Sequence, residues 1–374
     1  MLHWYQYQHI YFARVTLGIK HLCKRNYYYK RGLYMKGINL KYPLWISWEL
    51  TSKCNYSCVH CRMDIPCKNT GNELSTDEII ECINQFADLG IYQIGISGGE
   101  PFMRSDILEI LEYASNKNIK IAITTNGFFL DDKNIRKLKK IENISLIQVS
   151  LDGSNEETHD YIRQYKGAYK SAINAISGLV SEGITTGVVT TVMKLNIDQV
   201  PDITKKVKQL GVSIYGARRF MPVGKGNKLR DSLLISKEDY ARHLQYWSDK
   251  KINDSDLEYI IEEPLLSIFE SEKHSNSGCP AGNSYGAITS LGDIRACIFI
   301  PLSLGNIRNK KFSQIWETSD IRNKIIGRAF EGKCSICNIK ENCSGCRAAA
   351  YAINNDLMGE DPFCFYDNPL VNKK

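Results

Sequence analysis

From position 44 to 50 the chain reads LWISWEL, a short apolar run that predicts a buried strand. Ser75-Thr-Asp-Glu78 then has the reciprocal spacing of a capping box, and Ile79, Ile80, Ile83, Phe86 and Leu89 recur behind it at helical intervals. Strand and helix alternate from there. The pattern predicts strands over 91–96, 119–124, 144–151, 185–192 and 213–216, separated by helices over 105–116, 133–140, 168–182 and 200–210. Six strands so arranged predict an α/β fold with a parallel sheet and right-handed crossovers, short of the eight that close a barrel. Residues 229–273 read as one or two bridging helices, with Ser236-Lys-Glu-Asp239 as a further helix start.

A chain of 374 residues fits one large domain plus a smaller one. Its 43% hydrophobic and 24% charged content is that of a soluble globular protein, and no uncharged apolar run reaches membrane-spanning length. The opening MLHWYQYQHIYF lacks the basic start and small-residue cleavage site of a secretory signal, so a cytoplasmic location is expected. The net charge of +7 is uneven: Met1 to Trp48 holds eight basic residues and no acidic one. This tyrosine-rich arm, residues 1–43, has the composition to hold nucleic acid, anionic lipid or an acidic peptide, or it wraps the main domain. It is too short for most recognition domains, and no nucleic-acid partner is expected.

Thirteen cysteines fall into two groups, with none from 83 to 278, which points to localised metal sites in a reducing compartment. Cys54, Cys58 and Cys61 stand at C-x3-C-x2-C spacing directly after the first strand, where (β/α) barrels gather their active sites. Three thiolates on one loop can hold three corners of an iron-sulfur cube and leave the fourth iron open to a small molecule. A zinc loop is the alternative, although zinc more often takes paired C-x2-C knuckles. Other candidates follow the later strands. Gly98-Gly99-Glu100-Pro101 is a tight turn or a backbone cradle for a ligand. Asn126 suits a ribose hydroxyl, or a turn formed with Gly127. Ser150 and Asp152 come after the fourth strand, with Arg163 beyond them, and RRFMPVGKG after the sixth brings Arg218, Arg219 and Lys225 to the mouth.

The cysteine spacing followed by GGEP resembles the signature of radical S-adenosylmethionine (SAM) enzymes. That resemblance implies a partial (β/α)6 TIM-like barrel over 44–228, open on one side, with one SAM-binding [4Fe-4S] cluster on Cys54, Cys58 and Cys61. It implies that the GGEP backbone and Glu100 receive the SAM ammonium, that Ser150 and Arg163 fix its carboxylate and that Asp152 supports the pocket. His60 takes the position where the family usually packs an aromatic residue near the adenine. Arginine suits a carboxylate because its planar fork offers two parallel hydrogen bonds.

Past the bridge the chain turns to glycine and cysteine: Cys279, Cys297, Cys334, Cys337, Cys343, Cys346 and Cys364. Seven exceed what one metal ion can use, so two clusters or two zincs are implied. The spacing resembles the SPASM domain, here over 274–374, which carries two auxiliary iron-sulfur clusters, taken as [4Fe-4S]. The resemblance puts Cys334, Cys337, Cys343 and Cys364 on the outer cluster and Cys279, Cys297 and Cys346 on the inner one, whose remaining ligand stays open. Cys67 is a substrate-facing thiol or a small hydrophobe, and Cys23 and Cys82 have no partner pattern. Sulfatase-maturing members place an aspartate beside their second SPASM cysteine, whereas Cys297 is followed by Ile298.

The first expectation is therefore an oxidoreductase-type maturase that generates a 5'-deoxyadenosyl radical to modify a ribosomally made precursor peptide by a crosslink or thioether. An electron donor such as flavodoxin or ferredoxin and a separate peptide-recognition protein are the partners implied. The alternative is oxidative decarboxylation or side-chain modification of a tetrapyrrole in heme or heme d1 synthesis, which CSGCRAAAYA and EDPFC also resemble, with Arg218, Arg219 and Lys225 as propionate binders. A non-catalytic electron-transfer protein would leave GGEP, SLDG and Arg163 without purpose.

Overall fold

Strand β1 (Trp45–Thr51) is buried on both faces and alternates in character: Ile46, Trp48 and Leu50 are at most 1% exposed, and the polar Ser47 and Glu49, also buried, point to the opposite face. Trp48 meets Phe86 of helix α1 (Thr76–Leu89) edge-on at 5.4 Å, so this face of β1 builds the layer between sheet and helices. The expected capping box opens α1, with Ser75 and Glu78 bonding each other's backbone, and Gly90 ends it in the left-handed conformation at φ 72°. The computed structural model describes residues 39–63, 72–269 and 278–366. Cys23, Cys67 and most of the N-terminal arm lie outside them.

The alternation continues through β2 (Gln93–Gly98), α2 (Ile107–Asn116), β3 (Lys120–Thr125), α3 (Asp132–Leu138) and β4 (Ile144–Ser150). Then come α4 (Glu156–Arg163), α5 (Ala168–Ser181), β5 (Thr186–Val192), α6 (Val200–Gln209) and β6 (Ile214–Arg219). These six strands pair in parallel in chain order, giving the partial barrel. Helix α4 is an addition to the expected pattern; it carries Arg163 back toward the strand ends.

The sheet also extends at both edges. The bridge holds one long helix, α7 (Lys237–Asn253), and then a three-residue strand, β7 (Glu258–Ile260), parallel to β6. On the other side, β8 (Tyr285–Ile288) from the cysteine-rich tail pairs in parallel with β1, and β9 (Asp293–Arg295) and β10 (Ser303–Asn306) continue antiparallel. Ten strands thus form one sheet, and the tail lies beside the first strand of the barrel. Residues facing the lumen near its floor, Ala122, Leu146 and Ile214 with Ile260, form an apolar plug of their own.

Candidate active site

The cysteine loop is gripped from two strand ends. Gly99 N–H donates to Thr51 C=O at 2.7 Å, and Glu100 N–H donates to Lys53 C=O at 2.8 Å. A Cβ on Gly99 would stand 2.0 Å from the Lys53 oxygen, and one on Gly98, at φ 131°, 2.3 Å from the Thr51 oxygen. The two glycines are therefore required for this close approach of backbones. From the opposite side, Gly226 N–H donates to Cys61 C=O at 2.8 Å, and Lys225 Nζ donates to the carbonyl and hydroxyl of Ser57 at 2.6 and 2.7 Å. Lys225, expected to face substrate, instead fastens the loop.

Cys54, Cys58 and Cys61 are free thiols around one small cluster with Tyr56, Tyr165 and Ala168. Burial pushes Cys54 and Cys61 up to about 11 and Cys58 upward, opposed at Cys58 by Arg163, whose Nη1 reaches its sulfur at 3.8 Å. Thiols so buried would ionise when a bound metal supplied the positive charge. The donor set, a single loop of three sulfurs, fits a cluster with an open corner.

The GGEP and TTNG segments prove to be one structure. The fully buried Glu100 carboxylate accepts from Thr125 Oγ1 at 2.8 Å, Asn126 N–H at 2.8 Å and Phe102 N–H at 3.3 Å, and burial raises it to about 7. Expected as an ammonium receptor, this carboxylate ties the β2 and β3 loops together, while Pro101 starts the following turn. Asn126 Nδ2 donates to Asn55 Oδ1 at 2.8 Å, and Asn126 Oδ1 accepts from Phe128 N–H at 2.9 Å, so its amide joins a turn to the cysteine loop.

Beyond β4, Asp152 is fully buried and pairs with Arg163 at 2.7 Å and with His60 at 3.6 Å. Burial pushes the Asp152 carboxyl up, but Arg163, His60 and His159 outweigh it and hold it below the usual range. Burial keeps His60 neutral by lowering it to about 4. Its Nδ1 and the Arg163 Nε are buried without hydrogen-bond partners beside the cysteines, donor and acceptor positions that a nucleotide-bearing ligand such as SAM would use. Ser150 is buried at the end of β4, at the same rim.

The tail cysteines gather as two sets. Cys279, Cys297 and Cys346 border one apolar cluster with Met221, Ala281 and Ala348. Cys334, Cys337, Cys343 and Cys364 line a cavity of about 430 Å³. All are free thiols, and burial raises Cys346 to about 12. Among the described residues no three His, Cys, Asp or Glu side chains converge as ligands of a single ion would. Both sets offer the sulfur-only donors that suit iron-sulfur clusters.

The two neighbouring arginines at the end of β6 part company. Arg218 pairs with Glu262 at 3.0 Å on the lumen side. Arg219, also expected at the mouth, is buried: it pairs with Asp361 at 2.9 Å and Glu263 at 3.1 Å and lies between the rings of Tyr240 and Phe363. Asp361 in turn accepts from Cys346 N–H at 2.8 Å. Glu263 and Asp361 went unnoticed in the sequence, although an acid just before the last cysteine was in view. So did Arg62, paired with Glu49 inside the barrel; a charge at an inward strand position was its signal.

Comparison with known proteins agrees with this geometry. The radical SAM superfamily model matches residues 48–207, and the SPASM iron-sulfur cluster-binding model matches 279–347. The AdoMet-dependent heme synthase of Methanosarcina barkeri is 31% identical over 87% of this chain and 97% of its own. The mycofactocin maturase MftC of Mycolicibacterium smegmatis is 28% identical over 86% and 82%. In fold, Streptococcus suis SuiB bound to S-adenosylmethionine superposes with TM-score 0.72 at 18% identity, covering 87% of this chain and 77% of that one. The protein anSMEcpe with bound AdoMet gives 0.68 at 19%, covering 87% and 95%.

Proposed function

The chain belongs to the radical SAM superfamily, and we propose that within it the enzyme oxidatively decarboxylates a propionate-type side chain of a tetrapyrrole. The observation that carries this reading is the 31% identity to a heme synthase over 87% of this chain and 97% of that protein. When bound to its [4Fe-4S] cluster and reduced by one electron, SAM supplies 5'-deoxyadenosyl-radical chemistry, the removal of a hydrogen atom from an unactivated carbon.

The chain's own residues provide holding and placement. Cys54, Cys58 and Cys61 would hold the cluster, and the Gly98-Gly99 and Gly224–Gly226 clamps fix their loop at the lumen's mouth. Arg163 and His60, braced by Asp152, would receive the polar groups of SAM. Inside, Ser47, Gly95 and Ala122 align across β1, β2 and β3, and the absence of a side chain on Gly95 admits the Trp45 indole, whose Nε1 would stand 2.6 Å from a Cβ there. A –CH2–CH2–COO⁻ group that loses one hydrogen atom, one electron and carbon dioxide becomes –CH=CH2. Cys279, Cys297 and Cys346 would hold the group suited to take the surplus electron.

Anaerobic incubation of the reconstituted enzyme with SAM, dithionite and Fe-coproporphyrin III, followed by mass analysis, tests the reading. The expected result is loss of carbon dioxide and hydrogen from the porphyrin with one 5'-deoxyadenosine per side chain. An unchanged porphyrin, together with a precursor peptide that loses two hydrogens, would replace it with the second reading. That reading, peptide maturation, draws on the similarity to mycofactocin maturase over 86% of the chain.

A further inference from the structure

Every second residue of the sheet faces the lumen, and the register identifies one row of them. Arg295 of β9 pairs with Ala287 of β8, Ala287 with Ser47 of β1, Ser47 with Gly95 of β2 and Gly95 with Ala122 of β3. The neighbours Ile46, Ile94, Ile288 and Ile294 all lie in the core beneath the helices, so this row faces the other way. Four of its five members are Ser, Gly or Ala; the fifth is a long cation.

Two other guanidiniums of the lumen have acid partners. Arg62, which follows the third cysteine of the loop, pairs with Glu49, and Arg218 pairs with Glu262 at 3.0 Å. Among the described residues no carboxylate comes within ion-pair distance of Arg295, and its Nε is buried without a hydrogen-bond partner. Asp293, two positions back on the same strand face, acts on it only through its field, while its Oδ1 accepts from Asn306 at 3.1 Å and Ser303 at 3.3 Å. Burial first, then Arg295 and Arg218, lowers Arg62 to about 10, against the opposing pull of Tyr285 and Cys297.

We infer that Arg295 is the receptor for a carboxylate of the substrate, held in the lumen between the Arg62–Glu49 and Arg218–Glu262 pairs. A partly buried guanidinium whose Nε has no acceptor is satisfied by a planar anion that takes its fork with two hydrogen bonds. Arg62 and Arg218 are taken up by ion pairs, whereas Arg295 feels only the field of Asp293, so a substrate with free acid groups is bound and its ester is refused. The assignment rests on the tetrapyrrole reading for the identity of that acid, a propionate. Tyr285, on the same face as Arg295 and beside Trp45 at 5.2 Å between ring centres, supplies an aromatic wall for the ring system that bears it.

The test is anaerobic titration of the cluster-loaded enzyme with coproporphyrin III and with its tetramethyl ester, following porphyrin absorbance. Iron content is checked in each variant because Arg295 is two residues from Cys297. Arg295→Met should weaken binding of the acid by about 30-fold or more, the lower bound for removing one partner of a buried charged pair. Arg295→Lys should fall between, since an ammonium keeps the charge and loses the fork. Ester binding should be weak in all. If Arg295→Met loses iron, Arg295→Gln, which keeps a donor without the charge, carries the comparison. Equal affinity for the acid in wild type and in an iron-replete uncharged variant overturns the receptor and leaves the tetrapyrrole reading intact. Wild-type protein that binds neither porphyrin overturns both.

Discussion

The two cysteine-bearing regions are fastened in different ways. The loop of Cys54, Cys58 and Cys61 is held chiefly through backbone, by peptide groups of the β2 and β6 ends at 2.7 to 2.8 Å, with glycines where any side chain would collide and the Lys225 and Asn126 side chains added. The tail is joined to the barrel by the pairing of β8 with β1 and by a buried ionic node, in which Arg219 of β6 takes Asp361 of the tail and Glu263 of the bridge. Backbone clamps transmit the rigidity of a parallel sheet and tolerate no displacement, as suits groups that must present a radical source to one carbon. A buried ionic node tolerates more movement but fails badly if one charge is removed.

The largest expected contrast comes from the cysteines themselves. Replacing Cys54, Cys58 and Cys61 together by alanine should abolish formation of 5'-deoxyadenosine, whereas Cys334→Ala with Cys337→Ala should lower iron content and product yet leave SAM cleavage measurable. Equal loss in both would mean that the tail is needed to assemble the loop's cluster. Next is Gly99→Ala, whose Cβ would meet the Lys53 oxygen at 2.0 Å. A shift of about 1 Å in the loop should cost on the order of 100-fold in SAM cleavage. Gly90→Ala is the control: it sits at φ 72° in open space and should cost about 1–2 kcal/mol of stability with cleavage unchanged.

Arg219→Met probes the other kind of fastening. It strands Asp361 and Glu263 in the interior, where both are at most 6% exposed, and should destabilise the protein by about 3–5 kcal/mol, read as a lower urea midpoint. Adding Asp361→Asn should recover part of that loss, because one of the stranded charges is gone. A change below about 0.5 kcal/mol for the single variant would show that the node carries no structural weight.

These differences also mark what the sequence could disclose. LWISWEL as a strand and the capping box before α1 were legible because an apolar run and a helix period are local signals. Gly98 and Gly99 were legible as a place of close backbone approach, but their partners, the Thr51 and Lys53 carbonyls, lie across the sheet. Arg218 and Arg219 look alike in the chain; strand parity sends one into the lumen and the other into the tail interface. Strand β7 is too short to show a period, and β8 pairs with β1 across some 240 positions, with no local sign of it. Arg295 went unread for the same reason, since its meaning depends on which acids are absent around it.

The smallest effect lies where the two regions meet at the surface. Arg308, just past β10, holds the Glu78 carboxylate of the α1 capping box with Nε at 2.6 Å and Nη2 at 2.9 Å. Hydrogen bonds from Arg308 first, aided by Ser75, lower Glu78 to about 2 despite the opposing effect of partial burial. The folded value lies below the usual carboxylate value of about 4.3, so the contribution is present above pH 4.3 and is lost as pH falls toward 2. Because both side chains are about one-third exposed, solvent screens the pair and Glu78→Gln should cost only about 0.3–1 kcal/mol at neutral pH. Wild type and variant should converge in stability near pH 2. A gap that persists there would mean that the residue acts through the shape of the cap and not through its charge.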